Sequence, residues 1–256
     1  MTHAPDSSPH AHAAHATGPA PIIDPATGEP VGHDTPWSLF AVFRTSSSHP
    51  AVFDGHDVPT VVREFEDVVS EVAAEHVTVR GIYDVSGMRA DADIMLWLTG
   101  RAAEDLQWAL RQLRRTTMLR PLIRVWGAAG VHRDAEFNRS HVPAYMRGIA
   151  PADWLCVYPF DRSYDWYILD PAERSRMLAE HGRKGAAYTG VQANTISAFA
   201  LGDYEWLLPL EANELTDLVD MMRALRGVDA RLHVREETPF FTGRRIEPAE
   251  MVEVLQ

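Results

Sequence analysis

From Trp37 onward the chain runs twice through the same order of elements, and this repetition limits the possible folds more than any other feature. WSLFAVFR (37–44) reads as a strand and VVREFEDVVSEVAAEH (61–76) as an amphipathic helix. VTVRGIYDVSGM and ADIMLWLTG read as two strands, AAEDLQWALRQLRRT as a helix and RPLIRVWGAAGVH as a closing strand. The order βαββαβ then returns. WLCVYPF is a strand, the segment from Pro171 a helix, VQANTISAFALG and YEWLLPLEA two strands, ELTDLVDMMRALRG a helix and ARLHVREE a strand. DIMLWL and its helix set against DYEWLL and its helix at an offset of about 110 residues, for which duplication is the simplest account. Each unit is a ferredoxin-like split βαβ, with helices on one face of an antiparallel sheet and the other face open. Two such units can lay sheet on sheet, closing a barrel-like core with helices outside and room for a ligand between sheet and helices.

The first 35 residues stand outside this order. They are rich in Ala, Pro, His, Ser and Gly, with His3, His10, His12 and His15 close together, and read as a disordered, solvated tail. The expected organisation is a tail over 1–35, a first unit over 36–148 and a second over 149–256. With 46% hydrophobic residues in 256, these units can build a core without staples. Cys156 is the only cysteine, which excludes an internal disulfide or a cysteine-cluster metal site and fits a reducing cytoplasm. A net charge of −12 argues against nucleic acid or an anionic membrane as partner, and no apolar run approaches membrane-spanning length. A small ligand is the expected partner.

The chemistry concentrates in WLCVYPFDRSYDWYILDPAERSRMLAEHGRKG, from Trp154 to Gly185. Asp170 is placed to cap a helix, Pro171 suits its first position and Glu173 stands where a capping-box partner would be. Met177, Leu178 and His181 fall within three and four residues of one another, so the face that buries the first two carries the imidazole inward. Such a histidine is either a satisfied core residue or a ligand, and the spacing leaves both open. Tyr158 and Trp166 read equally well as core aromatics. Arg162 is a charge at a pocket wall or a surface partner of Asp161 or Asp165. His141 lies between the two units, in a loop setting where functional residues gather. No HExxH, CxxC, phosphate loop or nucleophile elbow is present.

CVYPFDRSYDWYIL followed by ERSRMLAEHG, and later VQANTISAFALGDYEW and PFFTGRR, resembles the chlorite dismutase-like superfamily, and within it the actinobacterial coproheme decarboxylases. The resemblance covers nearly everything from Trp37 to the C-terminus. It implies an α+β fold of duplicated ferredoxin-like repeats forming a dimeric α+β barrel. It also implies a hydrogen-peroxide-dependent conversion of iron-coproporphyrin III, at once substrate and redox centre, into haem b, the last step of a haem biosynthesis route. His181 matches the axial ligand of the haem iron, Tyr158 the tyrosine that forms a radical, and His141 the distal base toward peroxide. Trp166 matches a tryptophan lining the porphyrin pocket, Arg162 a cation near a propionate, and Arg235 a further propionate contact. A cytoplasmic homopentamer is implied as well.

Four propionates demand local cations in an acidic protein. Arg111, Arg114, Arg115, Arg120 and Arg124 form a dense run, mostly a solvated helix face from which one or two members are expected at the ligand. Chlorite dismutases carry a distal arginine on the strand that here reads VQANTISAF, which has none. A non-catalytic haem or coproheme carrier would need His181 without the pair Tyr158 and His141, and a dye-decolorising peroxidase would show a glycine-aspartate motif that is not visible.

Overall fold

The computed structural model describes residues 34–50, 57–133 and 142–256, together with Ile23, Pro25, residues 28–30 and Phe53. His141 and most of the stretch 1–35 lie outside the described residues. Strand β1 (Trp37–Arg44), helix α1 (Val58–Ala74), β2 (Val77–Asp84), β3 (Ile94–Gly100), α2 (Ala103–Leu113) and β4 (Ile123–Val131) follow in the order expected for the first unit. Val61, Phe65 and Val72 on α1, and Leu106, Ala109, Leu110 and Leu113 on α2, form the buried stripes that helical spacing puts on one face. Every residue of β3 is buried, because helices cover one face and a second apolar cluster covers the other.

The second half contains β5 (Trp154–Arg162), α3 (Pro171–Gly185), β6 (Val191–Ala193), β7 (Ile196–Ser197), β8 (Trp206–Ala212), α4 (Leu215–Leu225), β9 (Val234–Glu236), β10 (Phe241–Ile246) and α5 (Pro248–Leu255). Two expectations are corrected here. VQANTISAFALG is not one strand but the pair β6 and β7, and the break lies opposite Pro209 of β8, which has no N–H to give to a ladder. ARLHVREE is not the closing strand. It forms a 3₁₀ turn over Asp229–His233 and the short β9, which pairs only with the end of β5. The closing strand is β10, whose Phe241 packs inside the barrel and whose Ile246 packs under the helices on the other face, whereas Arg235 and Glu236 of β9 are exposed.

The strands form one sheet in the order β6-β8-β7-β4-β1-β3-β2-β10-β5-β9, and a further β5–β8 pairing closes it into a barrel. Within the first half the order is β4-β1-β3-β2; within the second, β10-β5-β8 continues to the β6/β7 pair. The halves meet along β2–β10 and β4–β7. Both seams need glycine. A Cβ on Gly243 would lie 2.6 Å from the Asp84 carbonyl oxygen, and one on Gly130 would lie 2.6 Å from Ile196 Cγ2 and 3.0 Å from the Ser197 carbonyl.

Strand alternation divides β5 between two environments. Leu155 and Val157 join Phe40, Trp97 and Leu207 inside the barrel, while Cys156 and Tyr158 face outward to pack with Leu218 and Met221 of α4. The space between the outer face of this half and its helices holds the site.

Candidate active site

The face of β5 that bears Tyr158 also bears Phe160 and Arg162, and these three line one wall of a cavity of about 200 Å³. Leu178 and His181 of α3 form the facing wall. Thr195, Leu208 of β8, Met222, Leu225 and Arg226 of the α4 end, Ala230, Arg231, Val234 and Glu237 complete it. The orientation of α3 begins at its first residue. Asp170 Oδ1 accepts a hydrogen bond from the Ala172 N–H at 2.8 Å, and Pro171 occupies the first turn. Arg174 is buried and donates to the Tyr167 carbonyl at 2.6 Å and the Trp166 carbonyl at 3.4 Å, which ties the helix to the loop after β5. From that start Met177 is buried and His181, one turn on, reaches the cavity, as the spacing required.

Burial, reinforced by the positive charge of Arg162, holds the His181 imidazole below its ordinary pKa. At neutral pH the ring is therefore unprotonated, with a lone pair to offer. Tyr158 is stacked on Phe240, ring centroids 4.3 Å apart, and its hydroxyl donates weakly to Met222 Sδ at 3.5 Å. Burial, and after it the negative charge of Glu237, pushes the phenol far above its usual range, so it stays protonated. Arg162 is pulled down to about 10 by burial. Its guanidinium lies 4.1 Å over the Trp166 ring and 5.0 Å over the Phe160 ring. Its backbone N–H donates to Glu205 Oε2 at 2.8 Å, yet among the described residues no carboxylate pairs with the guanidinium itself.

The structure thus brings together His181, Tyr158 and Arg162. Trp166 is not in the cavity lining. It is buried behind Arg162 against Met177, Val228 and Ala230, with the His233 ring 5.5 Å away, and so fixes the arginine from below. Arg235 points elsewhere: it is paired with Asp161 at 3.3 Å and donates to the Tyr164 hydroxyl at 2.9 Å on the exposed side of β9. None of Arg111, Arg114, Arg115, Arg120 and Arg124 lines the cavity. The arginines that do, besides Arg162, are Arg226 and Arg231, which sequence reasoning passed over. The signal for Arg226 was present: Met222, Leu225 and Arg226 share one helical face, in the way Met177, Leu178 and His181 do. Arg231 had no such signal, because a 3₁₀ turn carries no long periodicity.

Among the described residues no group of three His, Cys, Asp or Glu side chains gathers to hold a bare metal ion. His181 is the one nitrogen ligand in the lining and the Glu237 carboxylate is engaged by two arginines, so a metal bound here must bring its own chelate. Apolar walls from Leu178, Leu208, Met222 and Leu225, one neutral imidazole and three guanidiniums suit a flat apolar metal complex with an anionic edge.

Comparison with known proteins agrees with this chemistry. A chain described as coproheme decarboxylase from Mycolicibacterium smegmatis is 50% identical over 215 residues, spanning 84% of this chain and 91% of the relative. Another of the same description, from Staphylococcus carnosus, is 26% identical over 212 residues, 75% of this chain and 84% of that one. Among solved structures, a chlorite dismutase from Candidatus Nitrospira defluvii in complex with imidazole superposes with a TM-score of 0.74 at 22% identity, covering 86% of this chain and 95% of that one. At that identity the likeness speaks for the fold. The family model for chlorite dismutase matches residues 59–246, from the first helix through the strand that closes the barrel, and the chain belongs to that family.

Proposed function

We propose that the chain is a coproheme decarboxylase, an oxidoreductase that turns iron-coproporphyrin III into haem b at the end of haem biosynthesis. The observation that carries this reading is the convergence of a neutral histidine, a buried tyrosine and a guanidinium with no carboxylate partner among the described residues on one cavity, in a chain half identical to a relative of that name. When bound, the iron supplies the reduction of hydrogen peroxide and the oxidising power that follows from it. His181 would hold the iron through its neutral imidazole. His141, outside the described residues, moves the peroxide proton from one oxygen to the other. Arg162, braced by Trp166, binds a propionate carboxylate. Tyr158 would give up an electron and its phenolic proton toward the reduction of peroxide to water, then regain both as a hydrogen atom taken from the propionate β-carbon. Loss of carbon dioxide and of a second electron, also consumed by peroxide reduction, would leave a vinyl group. Each propionate consumes one peroxide and one proton and yields one carbon dioxide and two waters.

The matching strand orders of the two halves support descent from a duplicated ferredoxin-like unit. Family likeness supports a cytoplasmic homopentamer, which sedimentation equilibrium tests. No helix among the described residues is long and apolar enough to cross a membrane.

The deciding experiment loads the purified protein with ferric coproporphyrin III, titrates hydrogen peroxide and follows the porphyrin by mass spectrometry. Two successive losses, each of one carbon dioxide and two hydrogens, are expected. Tight binding with an unchanged mass would establish a carrier instead.

A further inference from the structure

The cavity contains a carboxylate of its own. Glu237 follows β9, and its Oε2 lies 2.7 Å from Arg226 Nη1 and 3.1 Å from Arg231 Nη1; Arg226 Nη1 also donates to Oε1 at 3.0 Å. The glutamate side chain is 14% exposed, against 43% for Arg226 and 36% for Arg231, so the acid is the innermost of the three. The cluster is built from three separate pieces of chain, the end of α4, the 3₁₀ turn and the residue after β9, all on the wall shared with Tyr158 and His181. Two guanidiniums and one carboxylate leave that wall with a charge of one positive unit. One donor is also left over. Arg231 Nη1 is buried, and its approach to Glu237 lacks hydrogen-bond geometry, so it has no hydrogen-bond partner. Buried donors are nearly always satisfied, and an acceptor entering the cavity would satisfy this one.

We propose that Glu237 is a specificity-determining residue. It cancels one of two guanidinium charges, so that this wall accepts a single ligand carboxylate, with Arg231 as the free donor. The inference rests on the ligand being an iron tetrapyrrole that bears carboxylates. Without Glu237 the same wall would carry two uncompensated cations and would bind an anionic edge more tightly and less selectively.

The test is binding by the full chain, followed in the visible absorption of two ligands, ferric coproporphyrin III and its tetramethyl ester, which has the same ring without the charges. Glu237→Gln is expected to bind the free acid about fivefold more tightly, the size a half-exposed ion pair carries. The ester should bind as before. Arg231→Gln should weaken the acid by about the same factor, and the double variant Arg231→Gln with Glu237→Gln should return close to wild type, because one net positive charge is restored. No gain for the acid in Glu237→Gln, an equal gain for the ester, or a double variant as weak as Arg231→Gln would each overturn the proposal. If Glu237→Gln loses the far-UV dichroism of the folded chain, Glu237→Asp takes its place: it should keep the wild-type preference for acid over ester while Arg231→Gln loses it, and the reverse pattern overturns the proposal. Wild-type protein that binds the acid but leaves its mass unchanged under peroxide removes the decarboxylase reading alone. Wild-type protein that binds neither porphyrin removes both.

Discussion

At the scale of single residues, the site depends on groups kept in one protonation state by burial. Tyr158 is held as a phenol by its apolar surroundings and by Glu237, so it can donate a hydrogen atom's worth of charge and proton together. Tyr158→Phe is expected to bind coproheme as tightly as wild type and to lose decarboxylation, by at least about 100-fold if the phenol is the only relay; porphyrin mass after peroxide reports it. His181 has a pKa below that of an exposed imidazole. An unfolded chain takes up its proton near pH 6.5, before the folded one does, so stability is fully present above about that pH and is lost as pH falls through the lower folded value. Melting temperature measured between about pH 7 and about pH 5 should therefore fall less steeply for His181→Leu than for wild type.

Elements position these residues through their ends and seams. Helix α3 starts where Asp170 caps it, and three turns later the same helix delivers His181. Asp170→Ala should lower stability by about 1 kcal/mol, read from a urea midpoint, with a broadened iron–histidine absorption band as the first sign at the site. Strand β10 joins the halves with Gly243 pressed against the Asp84 carbonyl. Gly243→Ala must push that backbone apart and is expected to cost about 1–3 kcal/mol, because a packed seam cannot absorb even one methyl. The same change at Gly182, where a Cβ would meet nothing, should be tolerated in packing.

At the scale of the whole molecule, an ion pair among the described residues crosses the barrel interior. Arg80 stands at a bulge in β2, its guanidinium 4.9 Å over the Trp97 ring, and pairs with the fully buried Glu211 of β8 at 2.7 Å. Arg80 also donates to the Ile149 carbonyl, and Asn194 donates to Glu211 at 3.1 Å, so the contact ties both halves and their connection together. Arg80→Leu would leave Glu211 buried without its cation, at a cost of about 3–5 kcal/mol. Unfolding followed at Trp97 and by far-UV dichroism should shift as one transition if the halves share this core, and as two if they do not.

Local periodicity was legible without coordinates: the twofold order of elements, the cap at Asp170 and the inward face of α3 all follow from spacing within a few residues. The grouping of Tyr158, Phe160 and Arg162 was not legible, because the sequence reading ends that strand at Phe160 whereas β5 runs on to Arg162. Tertiary structure decided the rest. ARLHVREE and FFTGRRI both have the look of a last strand, and only the open position between β2 and β5 selects the second. Arg235 and Arg231 are equally charged and four residues apart, yet one turns to Asp161 and the other to the cavity. A sequence records which side chains share a face of one element. Which elements lie across from that face depends on contacts between residues far apart in the chain, and those are settled only when the sheet closes.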